Sequence, residues 1–171
     1  MGDKETIFSI LVVDDQDHAR LSNQLMLERL LRPLAPSELN IRLSATIEEM
    51  YEELRAGQFN LVLIDRYLGR TPENELIDGI EHIESILEIQ PTAKVIMVTG
   101  NKDPQLAVKA LKKGALDFIV KGSSPHEEEY KKKQILKAIQ DSRVELKNLQ
   151  RSIAVDTSTV GYVCNLSLIH I

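Results

Sequence analysis

Four short apolar runs, each closed by a side chain that carries chemistry, constrain this chain more than any other feature. Leu61-Val62-Leu63-Ile64 runs into Asp65, and Ile10-Leu11-Val12-Val13 runs into Asp14-Asp15. Val95-Ile96-Met97-Val98 runs into Thr99, and Phe118-Ile119-Val120 runs into Lys121. An unbroken apolar run of this length reads as a strand buried on both faces, the mark of a parallel sheet covered by helices. A polar residue closing the run then stands at the strand's carboxyl end, where open parallel sheets place their ligands. With the strands parallel, three carboxylates, a hydroxyl and an ammonium meet on one edge of the sheet.

Between the runs the pattern turns helical. Residues from about His18 to Arg32 carry Leu21, Leu25, Leu27 and Leu31 among their apolar positions, and Pro33 and Pro36 end the helix. Pro33–Asn40 reads as a loop and Ile41–Ala45 as an alternating, more exposed strand. Thr46-Ile47-Glu48-Glu49 matches a capping box, opening a helix that runs to Arg55 with Gly57 behind it. After the central strand, Tyr67–Asn74 is expected as a polar loop, and a helix is expected from about Glu75 to Ile89, closed by Pro91. Asp103-Pro104 opens the next helix, which Gly114 ends. Ser124-Pro125-His126-Glu127 is a second capping box, and its helix is expected to continue to about Ile153. Five strands alternating with five helices predict a doubly wound α/β domain.

The last helix carries a second pattern. Ile135, Ile139, Ser142, Leu146, Leu149 and Ile153 follow a 4-3-4-3-4 spacing, a heptad seam with one polar break. The expectation is a helix that covers the sheet first and then projects beyond about Val144 as a dimerising or linker helix; the alternative is a solvated helix end. The domain division is therefore 1–141 for the α/β domain, 142–153 for the helical extension, and 154–171 for a tail. That tail has no helical period, so it is expected to begin a truncated downstream domain or to be an added end.

Composition narrows the function classes. The net charge of -5 gives no reason to expect nucleic-acid binding by this segment. The one cysteine, Cys164, leaves no internal disulfide and no cysteine-rich zinc site. No apolar run approaches the roughly 20 residues that span a bilayer, and a strand follows the N-terminus too soon for a secretory signal. A soluble, cytoplasmic protein without a membrane partner is the expectation.

Asp14, Asp15 and Asp65 would place three negative charges close together, where they repel and titrate as a set. A hard divalent cation removes that conflict, and Mg2+ is the natural one, since it binds through one or two carboxylates, waters and often a phosphate. Lys121 suits a phosphoryl oxygen and Thr99 adds a hydroxyl donor. Acidic metal site, nucleophile, ammonium and hydroxyl together are what phosphoryl transfer to a carboxylate needs. Taken singly, each Asp could cap a helix or solvate a loop, Thr99 could cap the following turn, and Lys121 could be a surface charge. The joint pattern is stronger than its parts, because each residue falls at the same end of a different strand.

These residues carry a family resemblance. Ile10–Asp15, Leu61–Asp65, Val95–Gly100 and Gly114–Lys121, in that order, resemble the receiver (response-regulator) domain of two-component signalling over about residues 7–141. The resemblance implies a flavodoxin-like (βα)5 fold with strand order 2-1-3-4-5. It implies Asp65 as the phosphoacceptor, and Mg2+ held by Asp14, Asp15, Asp65 and the backbone carbonyl of Tyr67. Thr99 and Lys121 would hold the phosphoryl oxygens. Phe118 matches the aromatic position that turns inward as Thr99 moves, the alternative being a permanent core ring. The chain would then be a signalling phosphoacceptor and not an enzyme in the usual sense. The implied partners are a histidine kinase or phosphotransfer protein, a second copy through the C-terminal helix, and a downstream output domain.

Two departures stand out. Gly122 follows Lys121 where the family commonly has Pro, so a trans peptide is expected there. The segment 66–74 is longer than the usual loop, with Arg66, Tyr67 and Arg70 either bordering the phosphate or forming solvated surface. A haloacid-dehalogenase-like phosphatase would explain Asp15-Gln16-Asp17, but it leaves Asp65 without a role. A pseudo-receiver that binds partners without phosphorylation is the better alternative, though such domains normally lack a key residue and all five are present here.

Overall fold

The apolar runs do form the centre of a parallel sheet. The computed structural model describes residues 8–33, 39–122 and 124–167, with side chains of the last helix described to residue 145 and at 147, 148, 151 and 152. In order, the elements are β1 (Phe8–Val13), α1 (Asp17–Leu31), β2 (Leu39–Ser44), α2 (Ile47–Ala56), β3 (Leu61–Ile64), β4 (Tyr67–Arg70), β5 (Leu76–Asp78), a 3-10 turn (Gly79–His82), α3 (Ile83–Ile89), β6 (Lys94–Thr99), α4 (Pro104–Lys112), β7 (Asp117–Val120) and α5 (Pro125–Ser167).

The five-stranded sheet runs β2-β1-β3-β6-β7, all parallel, which is the expected 2-1-3-4-5 order with a two-stranded hairpin, β4–β5, inserted after the third strand. Alternation along the strands sorts the core into two layers. Leu11, Val13, Val62, Ile64, Val95 and Met97 face α2, α3 and α4. Ile10, Val12, Leu61, Leu63, Ile96 and Val98 face α1 and α5. Every residue of β3 is buried, as its unbroken apolar run requires.

The predicted caps are present. Thr46 Oγ1 accepts from the Glu49 N–H at 3.2 Å, and Asp103 Oδ1 accepts from the Gln105 N–H at 2.9 Å. Ser124 and Glu127 close the reciprocal box at the head of α5. Gly114 takes φ +101° just past α4, a left-handed conformation that side chains rarely adopt.

Three expectations change. The polar loop 67–74 and the start of the helix at Glu75 are a β-hairpin, and the helical turns begin only at Gly79. Leu76, Ile80, Ile83 and Leu87 fall at 4-3-4 spacing and so imitate one helix face, but Leu76 is exposed on β5 while Ile80 and Ile83 are buried. Second, the heptad seam begins as core. Ile135, Ile139 and Ser142 are buried against the chain's own sheet, with Ser142 Oγ accepting from Asn60 Nδ2 at 3.4 Å. The seam side chains Leu146, Leu149 and Ile153 lie outside the described residues. Third, α5 runs on through the tail to Ser167 instead of stopping near Ile153. In α1, Leu21 and Leu25 are exposed while Leu27 and Leu31 are buried. Most of the loop Pro33–Asn40 lies outside the described residues. No peptide bond is cis among the described residues, Lys121–Gly122 included.

Candidate functional site

The carboxyl edge of the sheet gathers the expected residues. The ladder continues one residue past β1 and β3: the Asp14 N–H donates to the Ser44 carbonyl at 3.1 Å and the Asp65 N–H to the Val13 carbonyl at 2.9 Å. Both carboxylates are thus fixed by sheet backbone. Asp14 is 1% exposed and Asp65 7%, whereas Asp15 stands at the surface. Backbone donors take one oxygen of each buried acid. Asp14 Oδ1 accepts from the Gln16 N–H at 3.0 Å, and Asp65 Oδ1 accepts from the Arg66 N–H at 2.8 Å.

Lys121 takes the other two oxygens. Its Nζ lies 2.8 Å from Asp14 Oδ2 and 3.0 Å from Asp65 Oδ2. Its own N–H donates to the Thr99 carbonyl at 2.6 Å, which ties the end of β7 to the end of β6. Thr99 is buried, and its Oγ1 accepts from the Asn101 N–H at 3.3 Å. Asp65, Thr99 and Lys121 line one open cleft of about 600 Å3, with Tyr67, Asn101 and Lys102 on its walls. Phe118 is half-buried on the layer facing α2, α3 and α4, in register with Met97.

The electrostatics follow from burial and from one ammonium shared between acids. Burial pushes the Asp65 carboxyl up from its ordinary value of 3.8, against the hydrogen bond from Lys121 that favours the anion; the Asp14 charge adds to the upward push. Burial disfavours the Lys121 charge as well, but the hydrogen bonds to Asp14 and Asp65 prevail and raise its pKa above the ordinary 10.5.

The donor set fits a hard divalent cation. Asp14, Asp15 and Asp65 each bring one carboxylate oxygen within 4.8 Å of the others. Oxygens on opposite sides of an octahedral Mg2+ are about 4.2 Å apart and neighbouring ones about 3 Å, so the three lie close to the spread that one ion spans, and the exposed Asp15 side chain is free to close the difference. Asp65, Thr99 and Lys121 could at the same time face a tetrahedral anion in the cleft.

Two residues beside the site, Asp78 and Gly79, went unread in the sequence, and they hold Arg66 at the base of the hairpin. Arg66 Nε donates to Asp78 Oδ2 at 3.2 Å, and the Arg66 guanidinium stacks on the Tyr67 ring at 4.6 Å. Gly79 is buried, and its N–H donates to the Arg66 carbonyl at 2.6 Å. The dipeptide Asp78-Gly79 was the available signal for a turn, hidden inside a helical spacing.

Comparison with known proteins agrees with this architecture. The family described as the response regulator receiver domain matches residues 10–132. The transcriptional regulatory protein ZraR of Escherichia coli (strain K12) is 33% identical over 112 residues, covering 66% of this chain and 22% of that protein. The transcriptional regulatory protein SrrA of Staphylococcus aureus (strain NCTC 8325 / PS 47) is 31% identical over 136 residues, covering 80% of this chain and 51% of that protein. The chain therefore spans about half or less of these relatives' lengths. Among solved structures, the beryllofluoride-activated NtrC4 receiver domain dimer is 27% identical with a TM-score of 0.61, covering 78% of this chain and 98% of that one. A CheY-like receiver domain protein from Methanospirillum hungatei JF-1 is 27% identical with a TM-score of 0.60, covering 82% and 99%. The sheet order, the acids at its carboxyl edge and the family match over residues 10–132 lead to one conclusion: this chain belongs to the response regulator receiver domain family.

Proposed function

We propose that this domain accepts a phosphoryl group on Asp65 from a histidine kinase or phosphotransfer protein, in the presence of Mg2+, and that the modified form controls a partner or a downstream output domain. The observation that carries this reading is the Lys121 ammonium held between two buried carboxylates, Asp14 and Asp65, with a carboxylate oxygen of Asp15 within 4.8 Å of theirs. Structural stabilisation alone explains it poorly, because two buried acids share one base with a third acid beside them, and burial raises the Asp65 pKa.

Asp14, Asp15 and Asp65 would hold the metal, together with the carbonyl of Tyr67. Bound there, Mg2+ neutralises charge on the carboxylates and on the incoming phosphoryl oxygens. An Asp65 carboxylate oxygen forms the new bond to phosphorus as the donor's phosphorus–nitrogen bond breaks, and the imidazole leaves with the electron pair. Lys121 and Thr99 then donate to phosphoryl oxygens. Lys121 must turn from its two carboxylates to do so, and Thr99 must shift its hydroxyl toward the cleft. Movement of Thr99 opens room on the β6–β7 side that the half-buried Phe118 ring can take up. That rearrangement couples the charge of the phosphoryl group, roughly -1.5 to -2, to the surface of α4, β7 and α5.

The test is intact mass after incubation with a small phosphodonor and Mg2+. A single phosphoryl adduct is expected on the wild type and none on Asp65→Asn. An adduct that persists in Asp65→Asn would remove Asp65 as the acceptor. No adduct on the wild type despite Mg2+ binding would favour the pseudo-receiver.

A further inference from the structure

The hairpin inserted after the acceptor is closed at its base by contacts that reach the acceptor's own backbone. Tyr67 pairs with Asp78, and the Gly79 N–H donates to the Arg66 carbonyl at 2.6 Å. A bond between the flanking residues makes Tyr67–Asp78 a non-hydrogen-bonded pair of the antiparallel ladder. In such a pair neither residue spends its backbone groups on the partner strand. The Tyr67 carbonyl is therefore left out of the ladder and directed away from β5, while Tyr67 itself lines the cleft that holds Asp65, Thr99 and Lys121.

Two further features hold that arrangement. Arg66 and Asp78 form an ion pair at 3.2 Å, with side chains only 15% and 24% exposed, across the base of the hairpin. Asp78 also caps the 3-10 turn, its Oδ1 accepting from the Ile80 N–H at 3.0 Å. Behind them, Gly79 lies flat on the acceptor: a Cβ built there would sit 2.2 Å from the Asp65 carbonyl oxygen and 3.3 Å from its carbonyl carbon. The backbone from Asp65 to Tyr67 is thus gripped from both sides.

We propose that Arg66, Asp78 and Gly79 are positioning residues for the metal, presenting the Tyr67 carbonyl as a ligand beside the three carboxylates. This inference rests on the phosphoacceptor reading above, since it concerns the ion that reading requires. Ligands that are already oriented lose less freedom on binding, and partners that orient a ligand are typically worth about 10- to 100-fold in metal affinity.

The test is Mg2+ titration of the full chain by calorimetry, for wild type, Asp78→Asn, Arg66→Gln and the double variant. Asp78→Asn keeps a side-chain oxygen for the Ile80 cap and removes the ion pair. Simple electrostatics predicts opposite effects, because losing Asp78 makes the site less negative and weakens binding, while losing Arg66 makes it more negative and tightens binding. Positioning predicts that both single variants weaken Mg2+ binding about 10-fold, and that the double variant is no weaker than the weaker single one. Metal-free melting temperatures should stay close to wild type.

A spectroscopic readout accompanies the titration. Tyr67-Leu68 is the only Tyr-Leu step in the sequence, so a carbonyl-13C tyrosine and 15N leucine sample reports that one peptide bond by NMR. Its signal should move on Mg2+ addition in the wild type and saturate at higher Mg2+ in Asp78→Asn. Tighter binding by Arg66→Gln, or wild-type affinity in both variants, would overturn the positioning role and leave the phosphoacceptor reading standing. Absence of saturable Mg2+ binding by the wild type would overturn both.

Discussion

At the scale of the residue, Asp65 is held in a state that its own folding disfavours. Burial lifts its pKa above the ordinary 3.8, so the folded chain holds that proton more firmly than the unfolded chain does. For an acid shifted this way, stability is greatest below the ordinary value and declines as pH rises through the raised one. Without metal, the cost is fully present only above the raised value. Asp65→Asn leaves Asp14 paired with Lys121 at 2.8 Å and removes the surplus charge. The variant should therefore melt higher than wild type at pH 7 in the absence of metal, by about 1 kcal/mol or about 2–4 °C. The gain should vanish on acidification through the raised pKa. Saturating Mg2+ should reverse the gap by raising the wild type, since a ligand that binds only the folded state at about 100 times its Kd adds roughly 2.7 kcal/mol, more than the variant's gain. Melting curves with and without Mg2+ at two pH values decide it. An Asp65→Asn chain less stable than wild type at neutral pH would mean that Asp65 and Lys121 are chiefly a structural pair.

At the scale of the element, the sheet was legible and the segment after it was not. A buried parallel strand needs apolar residues on both faces, so Leu61–Ile64 and Val95–Val98 advertise themselves, and the acids and hydroxyl at their ends are read along with them. Caps were equally legible, because Thr46, Asp103 and Ser124 act on backbone within three residues. The hairpin offered no such signal. β4 and β5 have four and three residues, with an irregular register between Tyr67 and Arg70 and glycine at position 69, too short and uneven for a period of two to emerge. Its apolar Leu76 then joined Ile80 and Ile83 in a false helical stripe. The polar end of the sheet opposite the site was also invisible. Gln90, 2% exposed, accepts from the Phe59 N–H at 2.8 Å and donates to the Leu54 carbonyl at 2.7 Å and to the Gly57 carbonyl. It thereby ties the end of α2 and the start of β3 to the end of α3, and a lone glutamine carries no pattern from which this could be foreseen. Replacing it with leucine of similar size strands one donor and two acceptors, which should cost about 2–3 kcal/mol in urea unfolding. A loss below about 0.5 kcal/mol would mean that water satisfies those groups.

At the scale of the whole molecule, α5 is too long for the domain it closes. Its 43 residues span about 65 Å if straight, against about 20 Å for the six-residue strands it crosses. Among the described side chains, its grip on the sheet is visible through Ile135, Ala138, Ile139 and Ser142, with Arg143 over the Phe8 ring and Glu145 paired with Lys94. A chain ending at residue 150 should therefore melt within about 2 °C of the full chain, a difference of under about 1 kcal/mol, while losing helical circular dichroism in proportion to the residues removed. A drop of about 6 °C or more would show that the distal helix packs back on the domain. The same heptad spacing that suggested a dimer seam thus serves first as the inner face of α5. Its period is that of any helix laid on a sheet, and as far as Ser142 that face is taken up by the chain's own core.

The hairpin after Asp65 begins and ends in one place, because the Arg66 carbonyl and the Gly79 N–H share a hydrogen bond. What lies between is a closed excursion whose tip, the Thr71–Glu75 turn, is joined back on itself by the Thr71 N–H to Glu75 carbonyl bond at 2.9 Å. Changing the length of that tip leaves the ends of β3 and the helical turns of α3 where they are. A fluorophore or a short peptide tag grafted at Pro72–Glu73 would ride on a lever rooted at the residue that follows the acceptor. The excursion is thus a natural attachment point for a reporter, one that would convert an event at a buried carboxylate into a signal read at the surface.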